Sequence, residues 1–167
     1  MDECKVYIID DSAEVRQAIN LLMSSVGLEV VEFESADAFL SEDRDIAKLE
    51  GCILLDVRMP GMSGLALLEH LQQIKCSPPV IMISGHGDIP MAVKAVQEGA
   101  INFIEKPFNE QELLDNVHRA FKLDSIQRGK NMKVQSIKKR LNSLTSREKE
   151  VLYAVTEGQR NKLIAVE

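Results

Sequence analysis

The chain has 167 residues, 45% hydrophobic and 28% charged, with a formal net charge of −6. Both fractions are ordinary for a globular core under a water-facing surface, and no apolar run approaches the roughly 18 residues that a membrane span needs. Three cysteines (Cys4, Cys52 and Cys76) without a C-x-x-C pair, and an acidic start that leads straight into a strand with no secretory signal, predict reduced thiols and a cytoplasmic setting.

The charge is uneven. Residues 1–122 carry 10 Lys+Arg against 21 Asp+Glu, a net of −11, and residues 123–167 carry 10 against 5, a net of +5. An acidic first part joined to a basic tail suggests two modules with different partners.

In chain order, strand-like apolar runs occur at 5–10 (KVYIID), 28–33 (LEVVEF), 52–56 (CILLD), 80–84 (VIMIS) and 102–106 (NFIEK). Between them the apolar spacing switches to the helical period: Val15, Ile19, Leu22 and Val26, then Leu67, Leu71 and Ile74, then Val93 and Val96. Gly27 and Gly99 stand where helices end. Asp88 is placed to cap the fourth helix, and Asn109 with Glu112 to start the fifth. Strands alternating with helices predict right-handed crossovers and a doubly wound five-stranded parallel sheet. The continuous apolar character of the third and fourth strands fits burial on both faces.

The fifth helix presents Leu113, Val117, Ala120 and Phe121 on one face. A polar stretch (124–131) follows, then Val134, Ile137, Leu141 and Leu144 at spacings that suit either a short coiled-coil seam or a plain amphipathic linker. Gly129 costs about 1 kcal/mol inside a helix, which leaves one long helix or a broken one open. Thr145 and Glu148 form a capping box before another helical pattern. Gly158 is predicted to end that helix, and a further one to begin near Asn161.

What the strands deliver at their carboxyl ends matters most, because loops there meet at the topological switch point of such a sheet. The first ends in Asp10 and Asp11, the third in Asp56, the fourth in Ser84 and the fifth in Lys106. Taken alone, Asp56 is a common strand-end turn residue before the Pro60–Gly61 turn. Together these positions predict three carboxylates, a hydroxyl and an ammonium at one edge. Carboxylates about 4 Å apart repel by roughly 4 kcal/mol at an effective dielectric near 20, so such a cluster shifts a pKa or recruits a cation. Oxygen-only donors suit Mg²⁺. Asp56 is then a candidate carboxylate nucleophile of the aspartyl-phosphate kind, with Lys106 and Ser84 placed to stabilise phosphoryl oxygens.

The set Asp10–Asp11, Asp56 in DVRMPGMSG, Ser84 in SGHGD and Lys106 in FIEKPF closely resembles the receiver domain of two-component response regulators, over about residues 1–122. The resemblance implies a flavodoxin-like fold with strand order 2-1-3-4-5. It implies that Asp56 accepts a phosphoryl group from a sensor histidine kinase. Asp11, Asp56 and the backbone carbonyl of Arg58 would ligate Mg²⁺, with Asp10 acting through water. It further implies Ser84 and Phe103 as switch residues, a cis peptide at Lys106–Pro107, and homodimerisation on phosphorylation through the face of the fourth helix, fifth strand and fifth helix. Many members carry Tyr at the position of Phe103, and a Phe there loses the hydrogen bond.

Residues 143–167, on LTSREKEVL and NKLIAVE, resemble the N-terminal part of the LuxR-type helix-turn-helix of the FixJ/NarL group, with Arg160 where Ser is usual. Residues 123–142 are then a helical linker. Transcriptional control through DNA is implied for the full C-terminal domain, and specific operator binding is not expected of these residues alone, because readout needs a helix in the major groove.

Two other classes use similar parts. A phosphatase or phosphotransferase with an aspartyl-phosphate intermediate is the alternative, but the dehalogenase type needs a second Asp where Arg58 stands. A dinucleotide binder needs G-x-G-x-x-G after the first strand, where acidic DDSAEV stands instead. His70, His86 and His118 lack metal-ligand spacing, and His86 reads as a solvated loop residue.

Overall fold

The computed structural model describes residues 4–41, 45–85 and 89–156. Strands β1 (Lys5–Ile9), β2 (Glu29–Phe33), β3 (Gly51–Asp56), β4 (Val80–Ser84) and β5 (Asn102–Glu105) alternate with helices α1 (Ala13–Ser25), α2 (Ala36–Ser41), α3 (Gly64–Gln73), α4 (Ile89–Gln97) and α5 (Glu110–Ser143), followed by α6 (Ser146–Thr156). A single 3-10 turn, Ile46–Lys48, precedes β3. The strands pair in parallel in the order 2-1-3-4-5. This is the flavodoxin-like, doubly wound sheet expected from the alternation of apolar runs and helical patterns.

Side chains alternate between the two faces of a strand, and each face of the sheet carries its own core. Val6 and Ile8, Cys52 and Leu54, Ile81 and Ile83, and Ile104 pack with Ile19 and Met23 of α1 and Leu113, Val117 and Ala120 of α5. The alternate residues Tyr7 and Ile9, Ile53 and Leu55, and Val80 and Met82 pack with Phe39 of α2, Leu67, Leu68 and Leu71 of α3 and Ala95 of α4. All residues of β3 and β4 are buried. Covering both faces of these central strands leaves their carboxyl ends as the place where polar side chains gather.

Local signals agree with the helix boundaries. Ser12 caps α1 by accepting from the Val15 N–H, and Ser63 caps α3 by accepting from the Ala66 N–H. Asn109 accepts from the N–H groups of Gln111 and Glu112 at 2.9 and 3.1 Å. The capping box before α6 is reciprocal: the Thr145 N–H donates to Glu148 at 2.7 Å and the Glu148 N–H donates to the Thr145 hydroxyl at 3.3 Å. Gly27 and Gly99 take φ of +77° and +98° just past α1 and α4. The exit from α3 carried no such signal, because Lys75 adopts the left-handed conformation there at φ +55°. The expected Asp88 cap, the loop role of His86, the Gly158 stop, Arg160 and the helix near Asn161 lie outside the described residues.

The chain falls into two compact units, residues 1–127 and 128–167. Of the two alternatives for the linker, the structure takes the long helix: α5 continues through Gly129 to Ser143 without a break. Its apolar stripe ends on a charge. Asp124, fully buried, continues the spacing of Leu113, Val117 and Ala120. It accepts from the Gly51 N–H at 3.1 Å and the Ser77 hydroxyl at 3.3 Å. An acid on a buried stripe is tolerated because its oxygens find donors.

Two glycines test this picture in opposite directions. Gly51 opens β3 at φ +125°, and a Cβ there would stand 1.9 Å from the Lys5 carbonyl oxygen. Gly51→Ala is therefore expected to destabilise the first unit by at least about 2 kcal/mol. Around Gly129 nothing lies within 4 Å of a Cβ, so Gly129→Ala is expected to stabilise α5 by about 1 kcal/mol. Urea unfolding followed by circular dichroism measures both.

Candidate functional site

Strand parity decides which polar groups meet. Asp10 lies two residues beyond Ile8, Asp56 two beyond Leu54, and Lys106 two beyond Ile104; all three continue the face that packs on α1 and α5. The Lys106 Nζ donates to Asp10 Oδ2 and to Asp56 Oδ1, both at 2.6 Å. Asp10 and Asp56 are 2% and 6% exposed, and the Lys106 side chain 19%. One ammonium thus joins two carboxylates that would otherwise repel across a poorly solvated gap.

The remaining carboxylate oxygens are held by main chain. Asp10 Oδ1 accepts from the Ser12 N–H at 2.9 Å, and Asp56 Oδ2 accepts from the Arg58 N–H at 2.8 Å. Arg16 of α1 donates to the Asp10 carbonyl at 2.6 Å, which ties the strand end to the helix that follows it. Gly64 lets the chain after Asp56 fold back: its N–H donates to the Val57 carbonyl at 3.0 Å, and a Cβ would stand 2.0 Å from the Asp56 carbonyl oxygen. Neither the Arg16 contact nor the close approach at Gly64 follows from the strand-end pattern that points to Asp10, Asp56 and Lys106. Close approach at Gly64 was foreshadowed only by a glycine directly following the Ser63 cap.

The other expected site residues stand around this bridge without joining it. Ser84 ends β4 on the opposite parity, buried at 1% exposure, and its carbonyl accepts from the Lys106 N–H at 2.8 Å. Phe103 of β5 is half-buried against the core under α2, α3 and α4. Asp11 is exposed and makes no hydrogen bond or ion pair among the described residues. The Lys106–Pro107 peptide is cis.

Burial raises the pKa of the Asp56 carboxyl above its ordinary value; the hydrogen bond and charge of Lys106 pull the other way, and the charge of Asp10 adds to the rise. For Lys106, burial alone would lower the pKa, but hydrogen bonds to Asp10 and Asp56 and their charges outweigh it, so the ammonium titrates above its ordinary value. The cation is firmly held.

Among the described residues, no three His, Cys, Asp or Glu side chains stand grouped to hold a metal by themselves. The donors at the site are carboxylate oxygens and main-chain carbonyls. That chemistry fits Mg²⁺, which binds through one or two carboxylates and fills its shell with water or phosphate oxygens.

The response regulator receiver domain family model matches residues 6–118. This chain is a response regulator. TodT of Pseudomonas putida, a response regulator protein, is 46% identical over 162 residues, covering 97% of this chain and 70% of TodT. The transcriptional regulatory protein FixJ of Rhizobium meliloti is 39% identical over 165 residues, 99% of this chain and 80% of FixJ. Among solved structures, the response regulator StyR superposes with a TM-score of 0.86 at 40% identity, over 98% of this chain and 81% of that one. These relatives place the chain in the FixJ/NarL group of response regulators. It carries the receiver domain of a two-component system, and its homologues include transcriptional regulators.

The direction of the Asp56 shift gives this response regulator a pH signature. A carboxyl whose pKa is higher in the folded state stabilises the fold fully below its unfolded pKa and loses that contribution as pH rises through the folded value. In buffer with EDTA, Asp56→Asn is therefore expected to be more stable than the parent at pH 7, with the advantage shrinking as pH falls toward about 4. Urea midpoints across that range check it, and a difference independent of pH contradicts it.

Proposed function

We propose that Asp56 is the phosphoacceptor of this response regulator, receiving a phosphoryl group from a phosphohistidine on a sensor histidine kinase. The observation that carries this reading is the Lys106 ammonium, 2.6 Å from both Asp10 and Asp56 at the carboxyl end of β3. A cation already held at the nucleophile is ready for the negative charge that a phosphoryl group brings. In the transfer, an Asp56 carboxylate oxygen forms the new O–P bond as the N–P bond of the phosphohistidine breaks, and Lys106 turns from carboxylate to phosphoryl oxygen. Ser84, at the end of the neighbouring strand, donates its hydroxyl to another.

Asp11, Asp56 and the Arg58 carbonyl would hold Mg²⁺, with Asp10 acting through water. When bound, the ion neutralises phosphoryl oxygen charge and orients the group. The protein is a regulator whose catalysis is confined to its own phosphoryl transfer and dephosphorylation. Ser84 and Phe103 form the switch: drawing Ser84 toward the phosphoryl group lets Phe103 rotate and reshapes the surface of α4, β5 and α5. That surface supports homodimerisation and, through a C-terminal DNA-binding domain of which residues 143–167 are the first part, transcriptional control. Residues 1–122 are then the receiver and 123–142 the linker, acting in the cytoplasm.

Acetyl phosphate or beryllofluoride with Mg²⁺ tests the central step by intact-protein mass spectrometry and fluorine NMR. An adduct is expected on the parent, absent after EDTA or in Asp56→Asn, and formed about 100-fold more slowly in Lys106→Met. An equal adduct on Asp56→Asn overturns the assignment.

A further inference from the structure

From Lys130 to Ser146 the chain carries five lysines and arginines and no aspartate or glutamate. Every residue of α5 from Lys130 to Ser143 is exposed. At about 100° per residue, Val134, Ile137 and Leu141 fall in one line, continued by Leu144 just past the helix end. The first three are 39–56% exposed. Cations border this strip. Lys130 stands one turn before Val134 in the same line; Lys133 and Arg140, four residues before and three after Ile137, run along one edge, and Lys138 along the other. None of the four forms an ion pair among the described residues. Arg140 also joins Ile137, Leu141, Leu144 and Leu152 of α6 in lining a groove of about 250 Å³. Both acids of α6 are already engaged: Glu148 accepts from the N–H and the hydroxyl of Thr145 at 2.7 and 2.8 Å, and Arg147 pairs with Glu150 at 3.1 Å.

The border decides what can cover the strip. Its spacing of three, four and three is that of a coiled-coil seam, with Val134 and Leu141 at a, Ile137 and Leu144 at d, Lys133 and Arg140 at g and Lys138 at e. Charge disfavours a second copy. In a parallel pair Lys130 would face its own equivalent and Lys133 the equivalent of Lys138; an antiparallel pair would set Lys133 against the equivalent of Arg140. A nucleic-acid backbone would satisfy the cations and leave the apolar strip in water. A membrane surface suits a broad apolar face with aromatic anchors, whereas this strip is a narrow line without an aromatic residue and opens on a concave groove. A helix with apolar residues at seam spacing and carboxylates on both borders matches every feature at once.

We infer that the strip from Val134 to Leu144 is a docking surface for an acidic amphipathic helix of a partner protein. The partner's apolar side chains fill the groove, and its carboxylates pair with Lys133, Lys138 and Arg140. The surface lies apart from the Asp10–Lys106–Asp56 centre and its test needs no phosphoryl group, so failure of either reading leaves the other standing.

Fluorescence anisotropy of the whole chain tests it, with a labelled synthetic heptad peptide bearing leucine at a and d and glutamate at e and g, beside its counterpart with lysine for glutamate. The glutamate peptide is expected to bind at least about 10-fold more tightly than the lysine peptide and to weaken as KCl is added. Lys133→Gln/Arg140→Gln is expected to bind it at least about 10-fold more weakly. Lys133→Glu/Arg140→Glu is expected to reverse the preference, and Ile137→Ser/Leu141→Ser to bind neither peptide. Circular dichroism checks the helix of each variant; the charge variants change only exposed residues and carry the test if the strip variant does not fold. The inference is overturned if the glutamate peptide does not saturate by about 100 μM, if both peptides bind alike, or if charge reversal leaves the preference unchanged. Sedimentation showing dimers that Ile137→Ser/Leu141→Ser dissolves would overturn it in favour of a second copy. Binding to phosphatidylglycerol vesicles that the glutamate peptide does not displace would overturn it in favour of a membrane.

Discussion

The contact on which the site depends is one ammonium shared by two buried carboxylates. Without the Lys106 Nζ at 2.6 Å from each, Asp10 and Asp56 would face each other at the ends of adjacent strands with little water between them. Removing the ammonium from such a group leaves two buried carboxylates uncompensated, which is strongly destabilising. The sheet supplies the geometry. Strand order puts β1 beside β3, and a lysine one residue beyond β5 reaches back past β4 to join them. A polar centre that costs folding energy persists in a tightly packed domain because its charges offset one another.

That balance also bears on reactivity. Burial disfavours the charged form of Asp56, and Lys106 offsets part of that cost. A carboxylate nucleophile needs the charged form, and a phosphoryl acceptor needs nearby positive charge when more negative charge arrives. Both requirements are met by the same lysine. The main-chain donors from Ser12 and Arg58 hold the remaining oxygens, so the two carboxylates are oriented as well as paired.

Much of this was legible in the chain. The apolar runs, the helical spacings and the cap residues Asn109 and Thr145 led to the right element order, because each is local chemistry. The convergence of Asp10, Asp56 and Lys106 followed from strand ends in a parallel sheet. Other features depend on contacts between distant residues, which no local pattern records. Lys75 takes the left-handed turn that glycine takes elsewhere. Asp124 was read as the start of a polar stretch, although its spacing from Ala120 and Val117 already placed it on the buried stripe. Its partners, Gly51 and Ser77, lie 73 and 47 residues away. Parity also separates Ser84 from the bridge, a distinction that appears only once the strand register is known.

The most direct test of the bridge itself is a double-mutant cycle on stability, using Lys106→Met, Asp56→Asn and the pair, by urea unfolding at neutral pH in EDTA. The shared ammonium predicts a coupling energy of at least about 1 kcal/mol between the two positions. Additive effects, with a coupling near zero, would show that Lys106 does not hold Asp56 in solution.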